Sequence, residues 1–131
     1  MRMTEATVRK QRPKFLALNE IRQPIPAIVS ILHRISGAGL FLLLPFLLFL
    51  FDRSLGSPES FASYKSVVAN PFAKLILLGL LWAYLHHFCA GIRFLLLDLH
   101  KGLELQTARK TARIVLVVSL VLTVLIGVKL W

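Results

Sequence analysis

The chain alternates between long apolar segments and short segments that carry its charges. Three windows contain no Asp, Glu, Lys or Arg: residues 35–51, 75–92 and 114–128. Each window extends by a turn or more of weakly polar residues, and about 20 mostly apolar residues in a helix cross a bilayer. The pattern therefore predicts an all-α membrane protein with three transmembrane helices. The predicted spans are approximately 26–51, 71–98 and 107–130.

Prolines and a cap residue set the predicted starts of the first two spans. Pro26 suits the first turn of a helix, because its missing N–H needs no partner there. Asn70 and Pro71 give a similar signal, a cap residue followed by proline at the first helical position. We expect residues 1–25 to form a cytoplasmic arm and a short surface helix to lie between spans one and two. Residues 1–131 are expected to form a single membrane-anchor domain.

The positive charges are concentrated at one predicted end of the spans. The net charge is +10, from 16 Lys and Arg against 6 Asp and Glu. Seven cations lie at or before Arg34 and five lie at 93–113, whereas the first loop has three and the C-terminus only Lys129. The positive-inside rule places the N-terminus and the second loop in the cytoplasm. The excess charge is thus a topology signal with some attraction for anionic lipid, and no nucleic-acid binding is expected.

A polar cluster lies near the predicted cytoplasmic end of span one. In a helix, Ser30, His33, Arg34 and Gly37 fall at i, i+3, i+4 and i+7, on one face. A hydroxyl, an imidazole and a guanidinium together are suited to holding anionic or carbonyl oxygens, because Arg donates in a fixed fork and stays charged. The competing interpretation is that Arg34 extends to lipid phosphates with His33 beside it.

Span two contains adjacent histidines, His86 and His87, and imidazole inside a bilayer usually has a functional or bundle-internal role. Neighbouring helical residues differ by about 100°, so the two rings have different surroundings. His87 is flanked by the small residues Ala83, Ala90 and Gly91, a groove that suits a planar macrocycle with an axial imidazole. Interhelical hydrogen bonding, a proton relay and metal binding are alternatives that the residues leave open.

The predicted topology brings the two clusters to the same side of the membrane. His87 lies about 9 Å deeper than Arg93 at helical rise. One cavity lined by both clusters is therefore expected, with His33 or Arg34 at its mouth. A six-coordinate haem would need a second axial ligand from elsewhere, which points to another subunit.

Three motifs give the chain a family resemblance. They are K-Q-R-P at 10–13, S-I-L-H-R-I-S-G at 30–37, and H-F-C-A-G-I-R at 87–93 followed by Asp98. Together they resemble the cytochrome b anchor subunit of succinate dehydrogenase, the larger of two membrane anchors in bacterial complex II. The S-P-E sequence at 57–59 is also similar to this family, and the resemblance covers nearly the whole chain.

The resemblance implies a heteromeric haem-binding bundle in the bacterial inner membrane. It makes His87 the axial ligand of haem b, with the other ligand from a second, small anchor subunit. It places His33 and Arg34 at the haem propionates, and Ser30 and Arg34 at the ubiquinone site. It also implies that a flavoprotein subunit and an iron–sulfur subunit dock on the cytoplasmic face, so the chain alone is not a complete enzyme.

The chain departs from some relatives in having Phe94, rather than histidine, immediately after G-I-R. His86 is the runner-up haem ligand, so the choice between the neighbours remains open at this point. Two alternative functions also remain: the anchor of a quinol:fumarate reductase, and a haem-free structural anchor.

Overall fold

A computed structural model describes residues 20–131, so the 10–13 motif and most of the expected arm lie outside the described residues. The described chain forms four helices: α1 (Ile25–Leu55), α2 (Pro58–Ala69), α3 (Pro71–Asp98) and α4 (Leu105–Leu130). Three of them, α1, α3 and α4, are long and apolar enough to cross a membrane. This confirms the predicted all-α membrane class with three spans, whereas the orientation of the N-terminus stays a prediction.

Local sequence explains how α2 and α3 begin. The Oγ of Ser57 accepts from the backbone N–H of Ser60 at 3.3 Å, which caps the short loop helix α2. In the first turn of α2, the pKa of Glu59 is lowered by hydrogen bonds to its carboxylate from the Ser57 side chain and from the backbone of Glu59 itself. At the start of α3, the Oδ1 of Asn70 accepts from the backbone N–H groups of Phe72 at 2.9 Å and Ala73 at 3.4 Å.

A tight turn joins α3 to α4. His100 has φ 58° and Gly102 has φ 78°, both in the left-handed region. Glycine adopts this conformation without a Cβ clash, and histidine is among the residues enriched there. The turn makes α3 and α4 antiparallel neighbours, so residues near the end of α3 contact the first turns of α4.

The helices pack through small side chains. Val29 from α1, Ala90 from α3, and Ala112 and Val115 from α4 form the buried apolar core. Further along α4, the hydroxyls of Ser119 and Thr123 are buried but donate to carbonyls of their own helix. Small residues at contacts let membrane helices approach closely, since lipid provides little hydrophobic drive for association. The large apolar side chains face outward instead; Phe41, for example, is 75% exposed.

Candidate functional site

The two sequence clusters meet in a stack of two imidazole rings. His33 of α1 and His87 of α3 have ring centroids 4.0 Å apart and planes inclined by 10°. Packing of α1 against α3 brings these rings together from positions 54 residues apart in the chain. The predicted proximity of the two clusters is therefore present in the fold.

Hydrogen bonds fix the orientation of the His87 ring. Its Nδ1 lies 3.0 Å from the backbone carbonyl of His33 and 3.2 Å from the Oγ of Ser36. Ser36 Oγ–H donates to the same carbonyl at 2.9 Å, so the Ser36 oxygen is left to accept. A carbonyl only accepts, and the network therefore assigns the proton of neutral His87 to Nδ1. The Nε2 lone pair then faces away from these contacts and is available to a ligand.

Gly37 provides the space in which the His87 ring lies. A Cβ built on Gly37 would be 2.8 Å from Cε1 and 3.3 Å from Nδ1 of His87. Optimal carbon–carbon contacts are about 3.5–4.0 Å, so any side chain here would displace the ring. The flat group that approaches the backbone of α1 at this glycine is therefore the His87 ring.

Part of the groove predicted beside His87 is filled by α1. Ala90 is fully buried in the apolar core, against Val29 among others. At Gly91, a built Cβ would lie 3.8 Å from Nε2 of His33, which is ordinary contact. For Ala90 and Gly91 the expectation of an open groove is wrong, because these two small residues pack against α1. His87 itself remains half-buried, so part of its ring is still accessible.

His86 lies in the interior of the bundle. Its residue exposure is 0%, and neither ring nitrogen has a hydrogen-bond partner within the described residues. Its ring centroid is 5.3 Å from that of Trp82, whose Nε1 is likewise buried without a partner in the described part of the chain. A large planar group would have to separate the helices to reach His86. The geometry favours His87 over His86 as a ligand to an external group.

Ser30 and Arg34 are one turn apart on α1, next to the stacked histidines. Ser30 is half-buried and Arg34 is exposed. On a helix, positions 30 and 34 are close to position 33, and their exposure leaves both side chains open to a bound molecule. A guanidinium and a hydroxyl in this arrangement can donate hydrogen bonds to a carboxylate or to a carbonyl oxygen.

A buried arginine, which the sequence did not single out as a site residue, connects the site to α4. Arg93 is 6% exposed, and its Nε donates to Thr111 Oγ1 at 3.1 Å. Its Nη2 donates to the carbonyl of Ala108 at 3.2 Å. The guanidinium carbon also lies 5.5 Å from the ring centroid of Phe94, and that ring is 5.1 Å from the ring of His33. Phe94 thus supports His33 by packing.

The described residues contain no group of three or more His, Cys, Asp or Glu side chains able to hold a bare metal ion. Ligation of haem iron makes a smaller demand, because the macrocycle supplies four nitrogens and the protein only axial ligands. A metal-bound histidine usually donates its second ring nitrogen to a carbonyl or carboxylate. His87 has this arrangement, and the residues present therefore fit a haem with one ligand from this chain.

Comparison with known proteins gives consistent matches over most of the chain. A family profile described as "Succinate dehydrogenase/Fumarate reductase transmembrane subunit" matches residues 8–126. The succinate dehydrogenase cytochrome b556 subunit of Coxiella burnetii is 40% identical over 122 residues, 92% of this chain and 98% of the relative. That of Paracoccus denitrificans is 35% identical over 117 residues, 89% of this chain and 90% of the relative. That of Rickettsia felis is 28% identical over 128 residues, 98% and 100% of the two chains.

Proposed function

Because the chain belongs to the succinate dehydrogenase/fumarate reductase transmembrane subunit family, we propose that it is the cytochrome b anchor of a succinate:ubiquinone oxidoreductase. It is a multi-pass inner-membrane protein with three apolar helices of spanning length. In the proposed role it binds haem b together with a second, small anchor subunit. It also forms part of the site at which ubiquinone is reduced.

The orientation of His87 is the observation that carries the haem assignment. Its Nδ1 is held by the His33 carbonyl and by Ser36, so Nε2 is the nitrogen available to iron. Bound haem supplies one-electron storage between the electron donor and the quinone. His33 and Arg34 are the groups of this chain that would contact the propionates, because a guanidinium pairs with carboxylates in a charge-assisted, bidentate manner.

Ser30 and Arg34 are the proposed quinone-binding residues. The Ser30 hydroxyl donates a hydrogen bond to a carbonyl oxygen of the quinone. The Arg34 guanidinium stabilises the negative charge that develops on quinone oxygen during reduction, as oriented donors do for oxyanions. Arg34 is exposed and Ser30 half-buried, which leaves both accessible to a molecule from the membrane.

The remaining subunits follow from the proposed reaction. Electrons from succinate require a flavoprotein subunit, and an iron–sulfur subunit carries them to the membrane. Both would dock at the end of the bundle that holds Ser30 and Arg34, since the quinone must lie close to the donor. A second protein ligand to the haem would come from the small anchor subunit, because in the described residues His86 is buried in the bundle and the His33 ring is stacked on the His87 ring.

The anchor of a quinol:fumarate reductase is the second candidate, since the matching family includes both enzymes. The groups that hold a quinone serve either direction of electron flow, so the site residues are the same in both cases. Comparing the rates of succinate oxidation and fumarate reduction by the purified complex distinguishes the two candidates.

Activity measurements on the complex test the quinone assignment. A hydrogen bond to a charged group contributes about 1.5–3 kcal/mol, so Arg34→Leu should lower succinate–quinone reductase kcat/KM by about 10- to 150-fold. Succinate reduction of a soluble dye, which bypasses the membrane site, should be unchanged. Arg113→Leu is the matched control, because Arg113 is exposed on α4 outside the site. Near-normal quinone reduction by Arg34→Leu would remove Arg34 from the site.

A spectrum of the same complex tests the cofactor independently. The dithionite-reduced complex is expected to show b-type absorption with one haem per flavin. If this absorption were missing from a fully assembled complex, the chain would be a haem-free structural anchor instead.

A further inference from the structure

A cavity of about 670 Å³ lies near the end of the bundle opposite Ser30 and Arg34. All four helices line it: the second half of α1, the C-terminal half of α2, the first half of α3, and the end of α4. Haem and quinone binding, as proposed above, use none of these lining residues. The proposed haem and quinone sites therefore do not explain what occupies this cavity.

The cavity is as deep as one leaflet of a bilayer. On α3 its lining runs from Lys74 to Tyr84. Ten residues of helix correspond to about 15 Å. The hydrocarbon core of a bilayer is about 30 Å thick, so this depth is about that of one leaflet. An acyl chain of a lipid in that leaflet has the length required to occupy the cavity.

The cavity lining is basic near the junction of α2 and α3 and apolar farther along α3. Leu77, Leu80 and Leu81 line the lower part on α3, whereas Lys74 lies in the first turn of α3 and Lys65 on α2. Among the described residues that line it there is no Asp or Glu side chain. Lys65 Nζ lies 5.1 Å from the ring centroid of Phe61, which leaves its N–H groups able to contact a phosphate.

Two aromatic residues lie at the same end of the cavity as the lysines, and residues of this kind are typical of the membrane interface. Tyr64 and Trp131 both line the cavity. Tyrosine and tryptophan are enriched at head-group depth, because their rings are apolar and their O–H or N–H groups need polar partners. Lys65, Lys74, Tyr64 and Trp131 thus lie at one end of the cavity and its leucines farther along α3, the order that a lipid head group followed by an acyl chain requires.

We propose that this cavity binds an anionic phospholipid, with its phosphate at Lys65 and Lys74 and an acyl chain along α3. Two lysines, a described lining without Asp or Glu side chains and a depth of one leaflet together favour this occupant over an uncharged lipid or an apolar helix. The lipid fills the space where α2 meets the spanning helices and so joins the first loop to the bundle.

Native mass spectrometry of the delipidated complex containing this chain tests the proposal. Phosphatidylglycerol should bind saturably, more tightly than phosphatidylcholine. A Lys near anionic lipid contributes about fivefold in affinity, so Lys65→Gln with Lys74→Gln should weaken phosphatidylglycerol binding by about 25-fold. The charge-matched control is Arg53→Gln with Lys129→Gln, which removes two cations near the same end but outside this cavity. Equal affinity for the two lipids, or equal losses in the two double variants, would overturn the proposal.

A second pair of measurements examines the apolar part of the site and its occupant. Ala69 lines the cavity yet is exposed, so Ala69→Trp should obstruct it at unchanged charge and with the fold retained. This variant is expected to lose saturable lipid binding. A photoreactive benzoylphenylalanine at position 69 should form a lipid adduct in native membranes. An adduct with another polypeptide instead would show that a subunit fills the cavity and would contradict the proposal.

Discussion

Replacing Gly37 with alanine isolates the contact on which the position of His87 depends. The added Cβ would lie 2.8 Å from His87 Cε1. Overpacking of this kind costs about 1–3 kcal/mol, whereas glycine to alanine in a helix gains about 1 kcal/mol. The net effect on the free energy of unfolding is a loss of about 0–2 kcal/mol, accompanied by a displaced imidazole.

Two other glycines provide matched controls. A Cβ on Gly39 meets nothing within 4 Å, and on Gly91 it lies 3.8 Å from His33 Nε2. Alanine at either position should therefore keep the helix-propensity gain, up to about 1 kcal/mol, without moving a ring.

Thermal unfolding and the reduced-minus-oxidised spectrum of the purified complex provide the two readouts. Gly37→Ala should have the lowest midpoint of the three variants and a weakened or shifted b-type spectrum. The two control variants should retain the native spectrum. If Gly37→Ala matched Gly39→Ala in both readouts, the close approach of His87 to α1 would be refuted.

Three further predictions concern other polar groups of the bundle. Thr111→Val removes a partner of the Arg93 guanidinium and should lower stability by about 1.5–3 kcal/mol; an unchanged unfolding midpoint would show that this bond is unimportant. His86→Leu removes two buried nitrogens without partners in the described residues and should raise stability by about 1 kcal/mol or more, which the same assay measures. Asn70→Ala removes the cap of α3 and should cost about 1 kcal/mol, with Asn70→Ser as the control that retains it.

The sequence was sufficient to predict the spans and the presence of both polar clusters at one end. Charge-free windows determine where helices cross the membrane, and Asn70 with Pro71 determines where α3 begins. Because α1 and α3 are antiparallel neighbours, residues near the start of one and the end of the other meet, as His33 and His87 do.

The sequence does not predict how each helix is rotated about its own axis, and therefore which of its faces contacts the neighbouring helix. In α3 nearly every side chain is apolar, so no polar face indicates which side contacts α1. The sequence therefore predicts an open groove of small residues beside His87, whereas in the fold Ala90 and Gly91 pack against α1. The same uncertainty concealed the interior position of His86 and the hydrogen bonds of Arg93 to α4.

The central claim is that His87, held by the His33 carbonyl and Ser36, is the haem ligand of this chain. The most direct test compares dithionite-reduced spectra of complexes with His87→Ala and with His86→Ala, each normalised to flavin. We predict that His87→Ala loses the native b-type absorption and that His86→Ala keeps it. Retention of the native spectrum by His87→Ala, or its loss only in His86→Ala, would contradict the account.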